Sequence, residues 1–164
     1  MYRRFDGPHQ VPRLPGPPYH FITRIREVDC PSAKATVDGG LVAEYQPPAD
    51  AWYFRENGAP VMPYGVLMEV LLQPCGWLAS YMGFALADQK LAFRNLDGDG
   101  AVVHRAVRPV DGLIETRTVL TRFAKVGVLT VVFFRVEATI DGEPLMEMNT
   151  SFGFFTGYAL ANQS

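Results

Sequence analysis

Cysteine, histidine and surplus charge are all scarce in this chain. Its two cysteines, Cys30 and Cys75, lie far apart and show no Cys-x-x-Cys or Cys/His spacing, so neither a disulfide framework nor a metal site is readable and a reduced, cytoplasmic compartment is expected. Fifteen basic residues against seventeen acidic ones leave a formal charge of −2, without the basic excess that nucleic-acid binding requires. No uninterrupted apolar run reaches membrane-spanning length, and Met1-Tyr2-Arg3-Arg4 leads into prolines instead of an apolar signal core. Neither export nor anchoring is expected. A Ser/His/Asp order, a phosphate loop, an internal repeat and a low-complexity tract are likewise missing, and nothing calls for a cofactor.

Apolar residues are what the chain has: 48% of its 164 residues, enough for one substantial core and too few residues for two ordinary domains. Residues 1–18 read as an arm or linker, because five prolines between Gly7 and Pro18 exclude regular helix and central strand. Alternation over His20–Val28 predicts a strand. A second, Ala35–Tyr45, contains Asp38-Gly39-Gly40, which supplies either a turn or a bulge. The irregular stretch between Pro47 and Pro63 carries enough aromatics to pack. From Tyr64 to about Leu86, Leu67, Leu71, Leu78, Met82 and Ala85 recur at spacings of three, four or seven, the pattern of a central helix. Pro74 inside it removes a backbone hydrogen bond and predicts a kink.

Strands follow over Leu91–Leu96, Ala101–Val107, Leu113–Phe123, Val128–Ile140 and Pro144–Phe155. The separators are Asp97-Gly98-Asp99-Gly100, Asp111-Gly112, Gly127 and Asp141-Gly142, the turn chemistry of hairpins. One apolar helix bracketed by an antiparallel meander is an α+β arrangement whose sheet must curl around the helix. Residues 19–156 form this domain, and 157–164 read as a tail or linker.

Glu69 stands between Met68 and Val70, with no other charged residue in the helix before Asp88. Were it buried, its pKa would rise and it could donate or relay a proton near neutral pH. Glu69, Gln73, Gly76 and Ser80 share one polar or small stripe, suited to lining an acyl pocket or to close packing. The competing reading gives Glu69 only a buried hydrogen bond, or an ion pair with Arg55 or Arg94. His104 lies in a predicted strand and acts as a base only if it turns toward the helix. His9 and His20 have no visible catalytic partner, and Cys75 reads as a small buried hydrophobe.

The segments Trp52-Tyr53-Phe54, Pro60-Val61-Met62-Pro63 and Val66-Leu67-Met68-Glu69-Val70-Leu71-Leu72-Gln73 together resemble the beta-hydroxyacyl-acyl-carrier-protein dehydratase family, whose fold is the hotdog. More narrowly, Leu72-Gln73-Pro74-Cys75-Gly76-Trp77-Leu78-Ala79, Phe93-Arg94-Asn95-Leu96-Asp97-Gly98 and Phe152-Gly153-Phe154-Phe155 resemble the tandem hotdog dehydratase regions of polyunsaturated fatty acid and polyketide synthases. The resemblance runs from about Pro15 to Gln163. It implies a hotdog unit acting on 3-hydroxyacyl thioesters borne by an acyl carrier protein, paired as a homodimer or with a tandem neighbour. It further implies Glu69 as the catalytic acid, with Gln73, Tyr64, Pro63 and Asn57 contacting substrate.

In the family a loop histidine works with the helix carboxylate, the two coming from different hotdog units. Here the loop Arg55-Glu56-Asn57-Gly58-Ala59 is short and has no histidine. The base is then expected from a neighbouring unit. The alternatives are a noncatalytic pseudo-dehydratase that completes a pair, and a hotdog thioesterase that hydrolyses acyl thioesters without a histidine.

Overall fold

The computed structural model describes residues 12–86, 91–127 and 129–156. In chain order the elements are β1 (Arg24–Val28), β2 (Gly40–Tyr45), α1 (Trp52–Arg55), α2 (Tyr64–Tyr81), β3 (Leu91–Val103), β4 (Ile114–Val126), β5 (Leu129–Ile140) and β6 (Glu143–Thr156). The six strands make one antiparallel sheet in the order β1-β2-β4-β5-β6-β3. It curls around α2, as a one-sided apolar sheet must when the element it covers is apolar nearly all round. Along β5, buried Val132, Phe134, Val136, Ala138 and Ile140 alternate with exposed Arg135 and Glu137, which sets the inward face. That face meets Val70, Leu71, Cys75, Leu78 and Ala79, all essentially without solvent contact.

Several boundaries differ from the sequence expectation, each for a local reason. β1 begins at Arg24 because the Phe21 amide is donated to the Gln73 side chain instead of a neighbouring strand. β2 begins only at Gly40, since Asp38 takes a left-handed φ of 63° and turns the chain first. The stretch between Pro47 and Pro63 contains the short helix α1. α2 stops at Tyr81, where Met82 caps it and Gly83, at φ 89°, reverses the backbone. The two strands expected over 91–96 and 101–107 are one continuous β3, and the Asp97–Gly100 run is bulged within it instead of turning. The bulge is held by Asn95 Nδ2 donating to Thr150 Oγ1 (2.8 Å), Ser151 Oγ to Asp97 Oδ1 (2.8 Å) and Thr150 Oγ1 to the Asp97 carbonyl (2.6 Å), while Gly100 sits at φ 61°.

Of the arm expected over 1–18, residues 12–18 carry neither helix nor strand. The rest of the arm, Asp88, Val128 and the tail 157–164 lie outside the described residues. Among the described residues, no helix is long and apolar enough to cross a membrane.

Two glycines separate close packing from open space. A Cβ on Gly40 would lie 2.6 Å from the Thr118 carbonyl oxygen on the paired strand, whereas one on Gly65 would meet nothing within 4 Å. Gly40→Ala should therefore destabilise the fold by about 1–3 kcal/mol in urea denaturation. Gly65→Ala should be neutral or stabilising by up to about 1 kcal/mol.

Candidate active site

The site is built on the first two turns of α2. Pro63 precedes the helix at φ −59° and ψ 145°, an extended conformation that proline favours. Its carbonyl accepts the amides of Val66 and Leu67, both at 3.0 Å. Just upstream, Met62 N–H donates to the Val107 carbonyl (2.8 Å), tying the helix start to the segment after β3. Asn57 Nδ2 donates to the Val61 carbonyl (3.0 Å), so this side chain closes its own exposed loop. Among the described residues the Tyr64 and Gly65 amides have no hydrogen-bond partner, as expected of the first donors of a helix without a side-chain cap. Tyr64 itself is exposed, at 56%.

Glu69 follows Gly65 by four residues, on the same helix face and about 6 Å further along the axis. It is half-buried. Gln73 Nε2 lies 3.5 Å from Glu69 Oε2, a long contact, and donates at 2.7 Å to the Tyr19 carbonyl. Gln73 Oε1 accepts the Phe21 amide at 2.8 Å. The buried Gln73 carboxamide thus clasps residues 19–21 to the helix beside Glu69. Arg55 and Arg94 are both exposed, and among the described residues neither forms an ion pair with Glu69.

Further along the stripe the helix is covered by the chain itself. A Cβ on Gly76 would come within 3.2 Å of Phe93 and 3.4 Å of Leu14, so the small residue serves close packing there. A cavity of about 580 Å³ lies at the far end of α2 and one of about 290 Å³ over the β3 bulge; Glu69 lines neither. What this unit presents is an open step at the exposed helix start: the Tyr64 and Gly65 amides, a half-buried carboxyl group, and Tyr19 held beside it by Gln73.

No protein-family profile matches the chain. A polyunsaturated fatty acid synthase polypeptide of a Thraustochytrium species is 33% identical over 144 residues, 85% of this chain. In three dimensions the dehydratase heterocomplex ApeI:P from Xenorhabdus doucetiae superposes with a TM-score of 0.62 at 13% identity, over 89% of this chain and 90% of that one. The chain has the hotdog fold and is similar, over most of its length, to one segment of a polyunsaturated fatty acid synthase polypeptide. It spans only 9% of the length of the synthase polypeptide. Thioesterases share the fold as well. One crystallised with coenzyme A from Streptococcus pneumoniae TIGR4 matches at a TM-score of 0.52 and 13% identity, over 79% of this chain and 85% of that one. A point mutant of the fluoroacetyl-CoA-specific thioesterase FlK matches at 0.56 and 11%, over 74% and 89%. Identities this low speak for the fold alone.

The two described histidines have partners other than Glu69. His104 Nε2 lies 3.4 Å from Glu147 Oε1 on the neighbouring strand, and His20 Nδ1 lies 3.1 Å from the Pro15 carbonyl. His9 is outside the described residues. Cys75 is fully buried, its thiol directed at the Leu71 carbonyl (3.7 Å), and burial raises its pKa. That is the chemistry of a small hydrophobe, as expected from sequence.

The aromatics between Pro47 and Pro63 pack as expected from sequence, but their partners, Tyr19, Phe21 and Tyr45, were not foreseen. Tyr45 and Tyr53 share a hydroxyl–hydroxyl hydrogen bond of 2.8 Å, with Phe21 edge-on to both rings and Trp52 near-parallel to Tyr19 at 5.9 Å. Burial raises the pKa of both tyrosines, so each remains a neutral phenol. The aromatic density of the 52–54 segment was the available signal. Replacing Gln73 by Leu would leave the Phe21 amide and Tyr19 carbonyl without this partner; the expected loss is about 1–3 kcal/mol of stability, read in urea denaturation.

Proposed function

We propose that this chain is a dehydratase-type hotdog unit, over residues 19–156, acting on 3-hydroxyacyl thioesters carried by an acyl carrier protein in a fatty acid or polyketide synthase. The observation that carries the reading is Glu69 held half-buried on the same helix face as the free N-terminal amides of α2. The Tyr64 and Gly65 amides are suited to donating to the thioester oxygen, where negative charge develops when the C2 proton leaves. Glu69 is suited to protonating the C3 hydroxyl, which departs as water while the C2–H electron pair becomes the C2–C3 double bond. Pro63 sets the helix start, Asn57 shapes the loop beside it, and Gln73 positions the carboxyl group.

The base that takes the C2 proton is not in the Arg55–Ala59 loop, so we assign it to a histidine of a neighbouring hotdog. The two edges of the sheet are unequal. β1 is five residues long, bulged, and charged by Arg24, Arg26 and Glu27, the features that discourage pairing. β3 carries Arg94, Asp97 and Asp99 and is bulged as well, but it is thirteen residues long and exposes Leu96, Val102 and Val103. We take β3 as the edge on which a homodimer or tandem neighbour pairs, bringing a second unit against the open step. Two free, buried cysteines suit a reducing, cytoplasmic setting.

Glu69→Gln should lower hydration of a crotonyl thioester by at least about 100-fold in a protein containing this chain and its neighbouring hotdog; unchanged turnover would remove Glu69 from the mechanism. A second reading, favoured by the histidine-free loop, is a noncatalytic unit that completes the pair and shapes the acyl tunnel. It expects Glu69→Gln to alter stability or assembly and to leave turnover intact. Release of free acid from an acyl-carrier substrate, in place of reversible hydration, would instead identify a thioesterase.

A further inference from the structure

At the end of α2 remote from Glu69, the sheet leaves the helix uncovered and a cavity of about 580 Å³ opens. Met82 lies thirteen residues beyond Glu69, about 20 Å along the helix axis. Neither Glu69 nor Tyr64, Gly65 or Gln73 is among the residues that line this cavity. Buried Met82 and Phe154 form its floor, and Phe84 and Phe123 its aromatic wall, with ring centroids of Phe84 5.3 Å from Phe123 and 6.1 Å from Phe154. Leu86 and Phe123 are exposed at its mouth. Lys125 is the one charged residue among those that line it. Its ammonium has no ion-pair partner among the described residues.

The volume falls within the range of small-molecule sites. An unpaired ammonium beside an aromatic pocket disfavours a cation and is left unused by a neutral alkane, whereas an amphiphile with an anionic head satisfies both parts. We propose that the cavity binds an unesterified fatty acid, its alkyl chain against Phe84, Phe123 and Phe154 and its carboxylate on Lys125 Nζ. The proposal stands apart from the dehydratase reading, since no residue is shared with the step at Glu69.

Calorimetric titration of the full chain with decanoate, below its micellar concentration, is expected to give saturable one-to-one binding that Glu69→Gln leaves unchanged. Lys125→Glu should weaken decanoate at least tenfold while decanol affinity stays within threefold of the parent, and Lys125→Arg should restore decanoate binding. Lys125 is exposed, so these variants should melt at the parent temperature. Absence of saturable decanoate heat would overturn the proposal. So would equal decanoate affinity in Lys125→Glu, or a decanol affinity that falls along with that of decanoate.

Discussion

A helix of eighteen residues with one charged side chain cannot stand in water, and enclosing it is the constraint that organises this molecule. Six antiparallel strands satisfy that need by curling, and their inward residues meet α2 through Leu71, Cys75 and Leu78. Enclosure is incomplete at both ends. At the N-terminal end the gap exposes backbone donors and Glu69; at the C-terminal end it exposes aromatic side chains. The same geometric limit thus creates two chemically different openings, one lined by backbone donors and a carboxyl group, the other by aromatic rings and a lysine.

The polar opening is incomplete as a reaction site in a single unit. A carboxyl group and two amides can hold and protonate, but no base stands opposite them among the described residues. Tyr19, held by Gln73, stands on one side of the opening. The sheet edges differ in length, β1 having five residues and β3 thirteen. In the pairing proposed above, the element that extends the sheet along β3 would also bring the base.

Much of this was legible in the residues. Alternation and turn chemistry located β4, β5 and β6 to within a few residues, and the solitary charge of Glu69 marked the helix face that stays partly open. What escaped was decided by contacts distant in sequence. Asp97-Gly98-Asp99-Gly100 has the composition of a hairpin turn, yet β6 supplies Thr150 and Ser151, which turn it into a bulge in a longer strand. Phe21 fits a strand by alternation, yet its amide goes to Gln73. The four residues of α1 are too few for any periodicity to register. The role of Gln73 as a clasp could not be read locally, because the groups it binds lie 52 and 54 residues away.

That clasp also bears on the order of assembly. A hydrogen bond spanning 52 residues forms only after the chain between has been brought together, against a loop-closure entropy that local helical bonds do not face. The clasp does not act alone, because Phe21 is 1% exposed and edge-on to Tyr45 and Tyr53. One residue thus fastens the segment before β1 twice, by its amide to the helix and by its ring to the core.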